Sequence, residues 1–80
     1  MRLDKFLKVS RIIKRRTIAT DVCNAGRVTV NDKVAKASTT VKVDDEIVLN
    51  MGQSPSKFKI LEIKDTTKKE DAEKLYKRID

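Results

Sequence analysis

The sequence has no histidine or tryptophan, and only one cysteine, one proline and two glycines among 80 residues. Without histidine, a His-based catalytic triad lacks its base, and the commonest metal ligand is missing. With Cys23 as the single thiol, neither an internal disulfide nor a transition-metal site is expected, which fits a reducing cytoplasm. No run of about 18 apolar residues occurs, so no membrane-spanning helix is expected. Lys and Arg interrupt every apolar stretch near the start, which argues against a cleaved signal peptide. The three aromatic residues, Phe6, Phe58 and Tyr76, sit where an apolar face should be buried. Exposed platforms for stacking splayed single strands are therefore lacking.

What is present is charge, and it is segregated. Residues 1–36 hold ten Lys or Arg against Asp4, Asp21 and Asp32, which accounts for the whole net charge of +7. Residues 37–80 carry nine bases and nine acids, which cancel. A segregated excess implies a polyanionic partner. A chain of this length makes one domain that buries only roughly 60% of its unfolded surface. A deep catalytic cavity is not expected, and no nucleophile–base pair is visible. A binding protein is the expectation, without enzyme activity, cofactor or metal.

The apolar spacing sets the elements. Leu3, Phe6, Leu7 and Ser10 predict a first helix over about 3–9. A basic connector, Arg11 to Arg16, leads to a second helix that Thr17 caps or begins. Ile18, Val22 and Ala25 predict its apolar face, and Gly26 its end. The period then changes to two. Val28 and Val30 predict a strand, Asn31-Asp32 a hairpin turn, and Val34 the return. Val41 and Val43 lead through an Asp44-Asp45 turn into a strand with Ile47, Val48 and Leu49. Residues 50–56 are a loop, and 57–64 a strand whose parity switches midway. Thr67-Lys68-Lys69-Glu70 has capping-box spacing, and Ala72, Leu75, Tyr76 and Ile79 predict an amphipathic helix behind it. The fold class is α+β: two antiparallel helices, a small antiparallel sheet and a C-terminal helix.

Lys14, Arg15 and Arg16 directly precede the second helix, where the helix dipole favours acids. Cations there disfavour the free fold by about 0.3–1 kcal/mol each, yet suit an arriving phosphate. The alternative reading is a solvated basic turn. Arg2, Lys5 and Lys8 form a stripe on the first helix, and with Arg11 they extend the candidate surface. Asp4, the only acid among the first sixteen residues, is expected to cap the helix or pair with a nearby Arg. Cys23 is expected to be a small core residue. Ser38, Thr39 and Thr40 could donate to phosphates but are equally ordinary loop residues.

The run from Met1 to Leu49 resembles the S-four RNA-binding domain in Arg2-Leu3-Asp4, Leu7, Arg11, Gly26-Arg27-Val28, Val30-Asn31, Ser38, Val41 and Asp45-Glu46-Ile47. The resemblance implies two helices on a strongly bent sheet, an αL RNA-binding motif with the helices as the RNA face. Residues 1–49 are then the core, and 50–80 an extension packed on it. The opening Met1 to Arg11 and the Lys64 to Glu70 segment resemble the stand-alone RqcP family of ribosome-associated quality control. That family implies large-subunit rRNA, peptidyl-tRNA on a stalled large ribosomal subunit and the protein RqcH as partners, and alanine tailing as the process served. It also implies RNA contacts at Arg2 and Arg16. Asp44 stands where the domain often has Gly, and Asp32 where Asn-Gly is usual. A monomer is expected. The alternatives are a heat-shock type factor that rescues large subunits, or a protein–protein adaptor working through the C-terminal helix.

Overall fold

The computed structural model describes residues 1–65 and 68–79. Helix α1 spans Leu3–Val9 and α2 spans Arg16–Asn24. Strands β1 (Val28–Val30), β2 (Lys33–Val34), β3 (Glu46–Leu49) and β4 (Ser56–Ile60) follow. A single helical turn α3 (Lys69–Ala72), a 3₁₀ turn (Glu73–Leu75) and strand β5 (Tyr76–Arg78) complete the described chain. The strands form one sheet in the order β2-β1-β3-β4-β5, antiparallel throughout. The α+β expectation holds.

Both leading helices pack on one face of this sheet. Leu3, Phe6 and Leu7 recur at helical spacing and are fully buried. They join Ala19, Val22 and Cys23 of α2, alternate residues of β1, β3 and β4, and Leu75 in one apolar cluster. Each side chain of this size contributes roughly 1.5–3 kcal/mol when buried. α1 stops at Ser10, whose amide and hydroxyl bond back to the carbonyls of Phe6 and Leu7. Arg11 follows at φ 62°, a left-handed position that ordinarily takes glycine. α2 ends on Gly26 at φ 78°, with the amides of Gly26 and Arg27 bonded to Cys23 and Val22. Gly26 is thus the expected C-terminal cap.

The hairpin turn is where the sequence places it. Asn31 and Asp32 have φ of 50° and 69°, the pair of positive values that a two-residue hairpin needs. Asp44 is also left-handed, at φ 76°. Both departures from the domain pattern therefore keep the backbone geometry that glycine usually supplies. The Asn31 amide group ties the hairpin to the second turn, donating to Asp45 at 3.1 Å and accepting from the Glu46 amide at 3.0 Å.

Three local expectations need correction. The buried face of α2 is Ala19, Val22 and Cys23, while Ile18 is 42% exposed and Ala25 is exposed. Arg16 and Thr20 face Asp4 of α1, and this sets the rotation of the helix. β4 ends at Ile60 rather than near residue 64, because the amides of Leu61 and Glu62 both turn to the Leu75 carbonyl. The C-terminal helix exists but is one turn long. Tyr76 lies in β5 opposite Ile60, its ring edge-on to Phe58 at 5.3 Å. Ile79 likewise lies beyond that strand, not on a helix, its amide bonded to the Lys57 carbonyl. The open edge of β4 supplies backbone partners, and those outweigh a marginal helical preference. The capping residue Thr67 lies outside the described residues.

Candidate nucleic-acid interface

The site is assembled around Asp4. Its residue is 2% exposed, although it lies in a strongly cationic stretch. The carboxylate accepts from the Arg2 guanidinium at 3.2 and 3.3 Å, from the Lys5 amide at 2.8 Å and from the Thr20 hydroxyl at 3.0 Å. Arg16 Nη2 lies 3.6 Å from the same carboxylate. Burial by itself would raise the Asp4 pKa. The Thr20 hydroxyl, the Lys5 amide and the Arg16 and Arg2 charges outweigh that and hold it below its ordinary value. Asp4 is therefore an anion at neutral pH, and its expected pairing with a nearby Arg is observed.

Two arginines distant in sequence are thereby brought together. Arg2 precedes α1 and Arg16 opens α2, and their side chains remain 52% and 49% exposed. Each guanidinium is anchored on one side and keeps N–H donors that Asp4 does not use. The Thr20 hydroxyl also lies 3.0 Å from the Arg16 carbonyl. Its one proton favours the charged acceptor. Thr20 was not among the expected site residues; its place four residues after Arg16 is the available signal.

Lys8 at the end of α1 and Arg11, Lys14 and Arg15 between the helices are exposed, and among the described residues no ion pair engages them. Like charges gathered without acids repel one another, so this surface is set up to attract anions. The predicted stripe on α1 is only partly realised. Arg2 turns to Asp4, Lys8 is exposed, and Lys5 is half-buried and paired with Asp65 at 3.3 Å. Nothing in the local sequence indicates that last contact, which joins positions sixty residues apart.

At the start of α2, Arg15 is the N-cap and makes no side-chain cap, and the first turn contains no acid. Thr17 lies inside the helix and does not cap it. Ser38 and Thr40 are exposed, whereas Thr39 is structural. Its carbonyl accepts from the Leu3 amide at 2.7 Å and its hydroxyl from the Lys36 amide at 2.9 Å. Cys23 is fully buried, and burial followed by the nearby Asp4 charge pushes its thiol up to about 11. It is a neutral core residue, as expected. No helix among the described residues is long and apolar enough to cross a membrane.

A small α+β domain with this cationic two-helix face has known counterparts. The family model described as the S4 domain matches residues 1–47 and sets the class. The RQC P-site tRNA stabilizing factor of Halalkalibacterium halodurans is 58% identical over 95% of this chain and 86% of that protein. The factor of the same name from Streptococcus pneumoniae is 54% identical over 99% of this chain and 90% of its own length. Among solved structures, trimeric heat shock protein 15 of Vibrio cholerae superposes with a TM-score of 0.90 at 31% identity, covering 99% of this chain and 81% of that one. The chain belongs to the S4-domain family of RQC P-site tRNA stabilizing factors.

Proposed function

We propose that this protein is an RNA-binding factor of bacterial ribosome-associated quality control. It binds large-subunit rRNA and the P-site peptidyl-tRNA on stalled large subunits, and so supports alanine tailing together with RqcH. The observation that carries the reading is the convergence of Arg2 and Arg16 on Asp4, next to an N-terminus of α2 that has cations and no cap. Guanidinium forks and open amides suit phosphate oxygens. Phe6 and Phe58 are buried and Tyr76 is half-buried with its ring against Phe58, which favours recognition by shape, ribose and phosphate over base stacking. In this reading the protein acts by binding alone, in the cytoplasm, and as a monomer, since copies carrying +7 repel one another.

The test is co-sedimentation with large ribosomal subunits across a salt series. Neutralising about five phosphates predicts a slope of log affinity against log salt near −3.5 to −4.5. Arg16→Ala should weaken binding by at least about tenfold, the scale of one lost charge-assisted contact, and lower the melting temperature only slightly, because Arg2, the Lys5 amide and the Thr20 hydroxyl still hold Asp4. A variant that melts early and binds poorly in proportion would make Arg16 a folding residue and overturn the assignment.

The structural likeness to heat shock protein 15 favours a second reading, a rescue factor for free large subunits carrying nascent chain-tRNA. Tight binding to tRNA-loaded large subunits combined with alanine tailing that proceeds equally well without the protein would favour it. The adaptor reading loses its docking helix, because Tyr76 packs on Phe58 within the sheet.

A further inference from the structure

We propose that Asp4 is a positioning residue for the RNA contact, and that it raises discrimination at the cost of general polyanion affinity. The proposal rests on the reading of Arg2 and Arg16 as phosphate contacts. Two guanidinium groups at one site would repel and sample many rotamers. A carboxylate shared at 3.2 and 3.6 Å cancels that repulsion and gives each group a fixed side. Fixing donors before the ligand arrives reduces the ordering cost of binding.

The shared carboxylate is itself held from beneath. The Lys5 amide at 2.8 Å and the Thr20 hydroxyl at 3.0 Å leave it little freedom, and it is almost wholly buried. Thr20 comes from α2 and Lys5 from α1, so the same anion also sets how the two arginine-bearing helices meet. An acid placed only for solubility would be on the surface. Asp4 is instead beneath the cationic face, where a phosphate can approach the guanidinium donors from outside.

Two effects of opposite sign follow for Asp4→Asn. Removing a negative charge strengthens attraction to any polyanion. Releasing the arginines weakens binding to a partner whose phosphates have fixed positions. The experiment compares the full chain with Asp4→Asn, Thr20→Val, Thr20→Ser and Arg16→Ala on two probes, purified large ribosomal subunits carrying tRNA and single-stranded poly(U). Asp4→Asn should bind poly(U) about two- to threefold tighter through its added charge. It should bind the loaded subunits about tenfold more weakly, as expected when a charge-assisted contact is misplaced. Thr20→Val, which leaves the charge alone, should bind the subunits about threefold more weakly with poly(U) unchanged, and Thr20→Ser should restore binding.

If Asp4→Asn binds both probes more tightly, Asp4 merely dilutes charge and the proposal is overturned. A purely structural role would lower both affinities in step with melting temperature, and that outcome also overturns it. Should Asp4→Asn fail to fold, the Thr20 pair decides: wild-type binding by Thr20→Val ends the proposal. Arg16→Ala separates the two levels. Wild-type subunit binding by that variant removes the underlying functional reading. Weak binding by Arg16→Ala, with no effect at Asp4 or Thr20, removes only this inference.

Discussion

The two leading helices begin in opposite ways. At α1, the amides of Leu3 and Asp4 donate to the carbonyls of Thr39 and Ala37, at 2.7 and 3.2 Å, and the Lys5 amide donates to Asp4. Every donor of that first turn is used, and a loop thirty-odd residues away closes the end. At α2, Arg15 offers no cap, the first turn holds no acid, and the amides of Arg16, Thr17 and Ile18 have no acceptor among the described residues. One end is finished by the protein itself. The other combines open donors with cations, which disfavours the free helix and suits an anion.

The sharpest way to break this contrast is to finish the second end. Arg15→Asp supplies a capping carboxylate and should raise stability by about 1 kcal/mol. It also exchanges a cation for an anion on the proposed interface, a charge change of two, so large-subunit affinity should fall by roughly a hundredfold, as one phosphate contact is lost and a repulsive charge replaces it. Thermal melting and co-sedimentation on the same sample check both signs. Lower stability together with retained binding would mean that the open end has no role.

A smaller effect is expected where the turn leaves α1. Arg11 occupies φ 62°, a conformation costing an L-residue about 1 kcal/mol that glycine avoids. Arg11→Gly should therefore melt no earlier than the parent, yet lose a few-fold in RNA affinity and flatten the salt slope by about 0.7–0.9. Equal binding in a salt titration would show that the cation at this strained position is unused.

The smallest effect concerns acid. Because the folded Asp4 pKa is lowered, its stabilising contribution is complete above the ordinary value of 3.8 and is lost as pH falls further, through the lower folded value. Wild-type melting temperature should therefore drop below about pH 4 more steeply than that of Asp4→Asn. Parallel curves in an acid titration would mean that Asp4 carries no special charge stabilisation.

Much of this is legible in the sequence. Strong local signals gave α1 to the residue, the Gly26 cap, and the Asn31-Asp32 turn, since helical spacing and positive φ depend on near neighbours. The charge division between the two halves marked the cationic face. The buried side of α2 is not legible in the sequence, because Ile18, Val22 and Ala25 satisfy the helical period as well as Ala19, Val22 and Cys23 do. The choice between them lies in Asp4, on another helix. The final segment departs from its helical periodicity because periodicity does not register an open sheet edge. Lys5 looked like a free cation because Asp65 is adjacent only after folding.

By itself the sequence determined that the chain is a small α+β domain, that its charge is one-sided, and that catalytic chemistry built on histidine or paired cysteines is unavailable. These follow from residue types and short-range spacing, which need no partner in space. Tertiary structure alone decided which cations share an anion, which helix end is closed, and that Tyr76 belongs to a strand. Those outcomes turn on contacts between residues far apart in the chain, where a buried carboxylate or an open backbone edge outweighs local preference.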